Sequence, residues 1–255
     1  QTKYIAMVNK STVPIDMVDH TADVLLQKEV QNVGVASNPE FLVEGKAIHG
    51  SLKPDRVVVG AWDEKDFMIM REVYRRFYAS PTVEYIEVNP KEAAAAKLLA
   101  NFYLFSKLAL CFDVIGRTSE SFDDISFENL RKILVSEERI GSWGFFDSIY
   151  AGGSCFIKDA RSLNHQLHTK GKNTELVQQV HQANERQLAH FLERAKNEAS
   201  VDWSDKKVAL LGTAFKRSTN DVRNSPSITI TTHVLSAGAP QLAVYHPNAT
   251  PLHKA

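Results

Sequence analysis

The chain has 255 residues, of which 44% are hydrophobic and 24% charged, so it is long enough for one large or two ordinary globular domains. Lysine plus arginine and aspartate plus glutamate each number 30, and this balance predicts neither a nucleic-acid partner nor an acidic membrane surface. Ser106, Lys107 and Asp113 interrupt the longest apolar run, residues 104–115, which excludes a membrane span. Two cysteines far apart in the sequence indicate a reducing, cytoplasmic compartment.

The first third of the chain alternates short apolar strands with amphipathic helices. We predict strands at residues 4–8, 33–36, 56–60 and 83–88, and helices at residues 16–28 and 64–78. This strand–helix–strand order favours an α/β structure with a mainly parallel sheet.

The middle of the chain changes to helical spacing. Predicted helices cover residues 91–115, which follow a proline at a favoured starting position, and then residues 127–135, 156–167 and 175–198. After a charged linker at 202–207, the α/β pattern returns with a strand at 207–212, a helix at 225–237 and a strand at 241–245. This order indicates a second nucleotide-binding-like layer.

Polar residues at a spacing of four share one face of a helix. Three such pairs occur: Glu40/Glu44, Lys97/Asn101 and Cys155/Asp159. Lys97 lies in an apolar run, so it either extends to water or points into a pocket with a shifted pKa. The pattern alone favours the extended lysine.

Cys155 follows Gly152, Gly153 and Ser154 and precedes a helical stretch. A cysteine at a helix N-terminus has its thiolate stabilised by the dipole and free amides, which suits a nucleophile. The alternative is a small buried hydrophobe in a tight turn, as Cys111 is expected to be. The residues alone leave both interpretations open.

Some expected site motifs are absent from the sequence. No G-x-G-x-x-G pyrophosphate motif occurs. His165 and His168 lack a third nearby ligand, so they indicate a solvated helix face, and no metal site is predicted.

Six segments together resemble motifs of the UDP-glucose/GDP-mannose dehydrogenase family. They are residues 10–14 (KSTVP), 37–45 (SNPEFLVEG), 53–60 (KPDRVVVG), 139–141 (RIG), 152–159 (GGSCFIKD) and 212–226 (GTAFKRSTNDVRNSP). They occur in family order over nearly the whole chain. The segment at 53–60 is most similar to the UDP-glucose branch.

The resemblance implies a three-part α/β architecture. Residues 1–88 would be the C-terminal part of an NAD-binding Rossmann domain, 89–200 a helical central dimerisation domain, and 201–255 part of a Rossmann-like UDP-binding domain. The glycine motif would then precede Gln1, and we expect the chain to be cut at both ends.

The implied reaction is the oxidation of a sugar C6 alcohol to a carboxylate, as from UDP-glucose to UDP-glucuronate, with two NAD molecules as hydride acceptors. Cys155 matches the nucleophile, which forms a thiohemiacetal and then a thioester. Lys97 and Asn101 match residues that stabilise negative charge on the C6 oxygen. Asp159 and Thr12 match residues that position water, and Glu40 matches an acid–base group for thioester hydrolysis.

Binding residues are implied in the same way. Expected cofactor-binding residues are Ser11, Thr12, Val13, Glu44 and Arg223. Expected substrate-binding residues are Glu40, Phe41, Leu42, Glu44, Lys97, Asn101, Arg139, Phe146, Gly152, Phe215 and Lys216. Because Arg139 matches an arginine donated to the neighbouring subunit's sugar nucleotide, a homodimer or higher homo-oligomer is expected.

One departure affects the loop before the nucleophile. Tyr150 stands where that loop usually has a glycine, or the loop is one residue shorter. Substrate choice therefore stays open between UDP-glucose and another UDP- or GDP-sugar. A third alternative is a non-catalytic homologue that binds a nucleotide sugar.

Overall fold

This computed structural model describes residues 3–146, 148–197 and 200–247. The chain divides into two compact units, residues 1–100 and 101–255, and the division falls within a single long helix. The observed elements confirm the predicted α/β class, with a Rossmann-like first part, central helices and a C-terminal α/β part. The division into three domains stays a prediction.

A four-stranded sheet forms the centre of the first unit. Its strands, in spatial order, are β1 (Ile5–Asn9), β2 (Val33–Ser37), β3 (Arg56–Gly60) and β4 (Glu84–Val88). β1 pairs with β2 and β3 with β4 in parallel, whereas β2 and β3 meet in antiparallel orientation at Ser37 and Gly60. The sheet is mainly parallel, as predicted. Met70 packs with Val57 and Val59 of β3 in one buried cluster.

Four helices accompany this sheet: α1 (Met17–Gln27), α2 (Ala47–Leu52), α3 (Glu64–Val73) and α4 (Arg75–Tyr78). Asp63 starts α3, because its side chain accepts a hydrogen bond from the Lys65 amide. The single helix predicted at 64–78 is wrong, since the chain breaks helical geometry at Tyr74. α2 was not predicted, because six residues show too little periodicity.

The long helix α5 (Pro90–Leu110) begins in a capping box. The Asn89 amide donates to Glu92 Oε2 at 3.0 Å, and the Glu92 amide donates to Asn89 Oδ1 at 2.9 Å. After Leu110 the chain continues through a π-helical segment, Cys111–Gly116, into α6 (Arg117–Ser121). The helix predicted at 91–115 therefore changes its hydrogen bonding near its end.

The helical run Pro90–Ser121 corrects one sequence-based exclusion. Within the described residues it is the one helix long and apolar enough to cross a membrane, with a mean hydropathy of 1.6 over 18 residues. Length and composition therefore do not exclude a membrane span, although the polar interruptions of the apolar run predicted that there is none. Core helices of globular proteins have the same properties, and Leu98, Phe105 and Cys111 of this run are buried.

The second unit combines helices with a small parallel sheet. Its helices are α7 (Phe127–Val135), α8 (Cys155–Thr169), α9 (Glu175–Asn197) and α10 (Pro226–Ser236), and its strands are β5 (Lys207–Leu211) and β6 (Gln241–Tyr245). β5 and β6 pair in parallel, and a 3-10 turn, Trp203–Asp205, precedes β5. Phe105, Ile157 and Val180 pack in the core that joins α5, α8 and α9. The predicted last residue of α9, Glu198, lies outside the described residues.

Candidate active site

Cys155 is the first residue of α8, and its side chain is exposed to solvent. Ser154 is the N-cap residue, and within the described residues its side chain makes no capping hydrogen bond. The amides of the first helical turn and the helix dipole therefore face this end of α8 without a side-chain cap. The sulfur lies at the positive end of the dipole, where an electrophilic substrate can reach it.

Asp159 lies one turn after Cys155 and is 1% exposed. Asn101 Nδ2 donates to Asp159 Oδ2 at 2.5 Å, and Lys158 Nζ pairs with Asp159 Oδ1. The carboxylate therefore has a partner on each oxygen, which offsets the cost of its burial. Asn101 is itself buried, so this contact fixes its carboxamide beside the helix that begins with the nucleophile.

Lys97, one turn before Asn101 on α5, is 5% exposed. The extended lysine that the pattern favoured is therefore wrong. Its Nζ lies 3.6 Å from Glu40 Oε2 and 5.3 Å from the centre of the Phe41 ring. The ammonium is partly compensated by one carboxylate and one aromatic face, an arrangement in which a further anionic ligand would be favourable.

Glu40 and Glu44 lie in the loop between β2 and α2, because that helix begins only at Ala47. Their spacing of four therefore places them on no shared helical face. Glu40 Oε2 accepts a hydrogen bond from the Leu42 amide at 2.8 Å, and the Arg56 guanidinium lies 4.0 Å from the Phe41 ring centre. The hydrogen bond from the Leu42 amide holds the Glu40 oxygen that lies 3.6 Å from Lys97 Nζ.

Ser11, Thr12 and Val13 follow the carboxyl end of β1, which pairs in parallel with β2. Nucleotides bind beyond the carboxyl ends of strands in sheets of this kind. A hydrogen-bond network lies at the same edge: Lys10 Nζ donates to Asn38 Oδ1 at 3.0 Å and Tyr74 OH donates to the same atom at 2.5 Å. The residues present fit a bound dinucleotide at this edge, although they contain no glycine-rich phosphate motif.

The nucleophile loop, residues 148–154, contacts the segment between β5 and α10. A side chain on Gly152 would place its Cβ 2.6 Å from the Asn224 carbonyl oxygen and 2.8 Å from Phe215 Cβ. The Gly153 amide donates to the Arg223 carbonyl at 3.1 Å, and Asn224 Nδ2 donates to the Gly153 carbonyl at 3.0 Å. Two predicted substrate-binding residues, Gly152 and Phe215, are therefore in direct proximity.

Three consecutive segments of the chain match the domains of one protein family. Residues 2–78 match the NAD binding domain of the UDP-glucose/GDP-mannose dehydrogenase family, residues 91–186 its central domain, and residues 209–255 its UDP binding domain. The chain belongs to this family. The match confirms the resemblance drawn from the six motif segments.

Individual members of the family are similar over nearly the whole chain. UDP-glucose 6-dehydrogenase of Pseudomonas aeruginosa is 31% identical over 91% of this chain and 52% of its own length. UDP-glucose 6-dehydrogenase TuaD of Bacillus subtilis is 31% identical over 97% of this chain and 52% of its own length. The chain thus spans about half the length of the curated relatives it matches.

Solved structures have the same fold. A UDP-glucose dehydrogenase from Pyrobaculum islandicum superposes with a TM-score of 0.88 at 28% identity, over 97% of this chain and 56% of that one. A UDP-D-ManNAc dehydrogenase from Pyrococcus horikoshii has a TM-score of 0.80 at 22% identity, over 97% of this chain and 58% of that one, which supports the fold alone.

Two of the predicted binding residues, Arg139 and Arg223, have side chains that pair with nearby carboxylates. Arg139 has an 87% exposed side chain and pairs with Glu137 at 2.9 Å, a hydrogen bond that lowers the Glu137 pKa. Arg223 pairs with Asp221 at 2.7 Å and lowers the pKa of that carboxyl. Both arginines are therefore held by neighbouring carboxylates, and their predicted roles in binding stay predictions.

Two further predicted substrate-binding residues, Phe146 and Lys216, contact neighbouring aromatic rings. Phe146 is 45% exposed, and its ring centre lies 5.6 Å from that of Trp143. Lys216 Nζ lies 5.4 Å from the ring centre of Phe215. Their roles in substrate binding stay predictions.

Several residues with contacts at the site were missed from the sequence. Lys158 lies inside a matched motif, so its pairing with Asp159 could have been anticipated. Asn184 is 0% exposed, and its side chain hydrogen-bonds both the amide and the carbonyl of Ala151. A signal was available, because Asn184 occupies the apolar stripe of α9, where an unpaired amide would be costly.

Proposed function

We propose that the whole protein catalyses the NAD-dependent, four-electron oxidation of the C6 hydroxyl of UDP-glucose, which yields UDP-glucuronate. The observation that supports this most is the environment of Cys155: an exposed thiol at the head of α8, one turn from a buried carboxylate that binds Asn101. Membership of the family supplies the reaction class.

The proposed role of Cys155 follows from the chemistry of aldehyde oxidation. NAD, when bound, accepts a hydride from the sugar carbon in each of two oxidations. An aldehyde has no suitable sp³ carbon from which hydride can leave, so the Cys155 thiolate adds to C6 and forms a thiohemiacetal. Departure of the second hydride, with its electron pair, leaves a thioester on the sulfur. Water then cleaves the C–S bond, which releases the carboxylate and restores the thiol.

Lys97 and Asn101 are proposed to stabilise the charge on the C6 oxygen. They lie one turn apart on α5, and each supplies N–H donors on a buried side chain. Buried, preoriented donors stabilise a developing oxyanion more than water does, because they need no reorganisation. The hydrogen bond from Asn101 to Asp159 holds the carboxamide in place.

Glu40, Asp159 and Thr12 are proposed to handle water and protons. Glu40 lies 3.6 Å from Lys97 and its side chain is 38% exposed, so it can exchange a proton with water during hydrolysis. Asp159 orients Asn101 and, through it, the water that attacks the thioester. Thr12 follows β1 at the proposed cofactor edge and is positioned by that strand end.

The binding partners are proposed on the same basis. Gly152, Phe215 and Lys216 would contact the UDP-sugar, and Ser11 to Val13, Glu44 and Arg223 would contact NAD. The exposed Arg139 would reach the sugar nucleotide of a second subunit, which makes the active form a homodimer or a higher homo-oligomer. A cytoplasmic location is proposed with these roles.

A second candidate is the same reaction on another nucleotide sugar. Tyr150 supports it, because this residue changes the loop that is expected to face the sugar. A UDP-N-acetylhexosamine or a GDP-sugar would then replace UDP-glucose.

The test is NADH formation by the full-length protein with UDP-glucose. We expect two NADH per sugar in the wild type and loss of completed turnover in Cys155→Ser, because a hydroxyl is a far weaker nucleophile than a thiolate. Cys111→Ala, which removes a buried thiol, should keep the stoichiometry and serves as the matched control. Wild-type inactivity on UDP-glucose and other nucleotide sugars would favour a binding homologue instead.

A further inference from the structure

The nucleophile loop is anchored to α9 by four hydrogen bonds. Tyr150 OH donates to Glu185 Oε1 at 2.8 Å, and Gln187 Nε2 donates to the Ser148 carbonyl at 2.9 Å. The other two join Ala151 to the buried Asn184, at 2.7 and 3.2 Å. The loop therefore has a fixed position on α9 before its two glycines begin.

Tyr150 is directed toward α9. Its ring packs on the core of the second unit. Burial, and then the hydrogen bond with Glu185, raise the pKa of Tyr150 well above its usual range. The phenol therefore keeps its proton and donates throughout the neutral range.

The two glycines make this anchor important for Cys155, which lies two residues after Gly153. Gly153 has a φ of +84°, and Gly152 and Gly153 have more backbone freedom to lose than other residues. On their far side, Gly153 is held by Arg223 and Asn224. The path to Cys155 is thus fixed at both ends, and release of either end would let the glycines move.

We propose that Tyr150 is a positioning residue for Cys155, which it orients by fixing the nucleophile loop to Glu185 on α9. This inference rests on the proposed role of Cys155 as nucleophile. It also gives the departure noted at this position a structural role, because the tyrosine supplies an aromatic anchor.

The test compares Tyr150→Phe, Glu185→Ala and the double variant in the full-length protein. We expect each to raise amide exchange in residues 148–154 by about tenfold, the lower end of the effect for loss of one hydrogen bond to a charged acceptor. Alkylation of Cys155 by iodoacetamide should slow by about threefold, because the thiol moves from the head of α8. The double variant should be no worse than either single one.

Kinetics separate positioning from substrate contact. We expect kcat to fall by about fivefold in Tyr150→Phe, with KM for UDP-glucose within about twofold, because the lost group touches Glu185 and not substrate. Glu185→Gln keeps an acceptor oxygen for the Tyr150 hydroxyl, so it should retain most of the kcat that Glu185→Ala loses. Tyr85→Phe, which removes a buried phenol oxygen elsewhere, should change none of these values.

Three results would overturn the proposal: unchanged alkylation and exchange in Tyr150→Phe, additive effects in the double variant, or a rise in KM at constant kcat. Alkylation and amide exchange need no turnover. If the wild type oxidises no nucleotide sugar, the proposed function fails, and these two measurements still decide whether Tyr150 positions Cys155.

Discussion

At the scale of single residues, the buried charge of Lys97 has the clearest functional meaning. An ammonium at 5% exposure loses most of its hydration, and Glu40, at 3.6 Å, compensates for only part of that loss. Core packing does not require a charge at this position. A buried charge of this kind is therefore a candidate for a functional role, in which an anionic species completes the compensation.

Replacing Lys97 by methionine, which keeps the length of the side chain without its charge, should lower kcat by about 10²- to 10³-fold, the effect of losing one oxyanion donor. Folding should survive, because the Glu40 side chain is 38% exposed and can be hydrated. Steady-state NADH assays and thermal melting measure the two effects. Lys91→Met removes a surface lysine that pairs with Asp19, and its activity should match the wild type. A Lys97→Met variant with wild-type kcat would exclude the proposed role.

At the scale of elements, local patterns predicted most of the fold. The strand Arg56–Gly60 and the helix Phe127–Val135 were predicted at their observed bounds, because valine-rich and amphipathic patterns end there at clear breaks. The break at Tyr74 and the antiparallel contact between Ser37 and Gly60 were not predicted. Both depend on packing between distant segments, which local propensity does not encode.

The sheet of the first unit should make stability sensitive to alkaline pH. Burial is the main cause that raises the pKa of Tyr4 and of Tyr85 to about 12, from 10.0, and Asp66 adds to the effect at Tyr4. Between these values the unfolded chain releases protons that the folded chain keeps, so the free energy of unfolding should fall as pH rises from about 10 to about 12.

Denaturant unfolding at pH 7, 10 and 11 measures this fall, and Tyr85→Phe should make it shallower. At pH 7 the same variant should be as stable as the wild type or slightly more so, because within the described residues the Tyr85 hydroxyl is buried without a partner. Identical pH dependence in the variant and the wild type would contradict this explanation.

At the scale of the whole molecule, local sequence patterns predicted which elements carry the candidate residues, but not which of those residues are in contact. Cys155 and Asp159 could be placed on one helix from their spacing and the preceding glycines. The hydrogen bond between Asn101 and Asp159 joins residues 58 positions apart, and the anchor from Tyr150 to Glu185 joins residues 35 apart. Neither separation leaves a periodic signal in one sequence, so only the packing of α5, α8 and α9 reveals them.

The central claim is that Cys155 becomes covalently bonded to the oxidised sugar carbon. Peptide mass spectrometry after rapid acid quenching tests it, with full-length Glu40→Gln used to slow thioester hydrolysis during turnover of UDP-glucose and NAD. We predict that the peptide containing Cys155 gains the mass of a UDP-glucuronyl group, and that Cys155→Ser gains none. Formation of UDP-glucuronate by Cys155→Ser at the wild-type rate, together with no adduct on Cys155 in Glu40→Gln, would contradict the account.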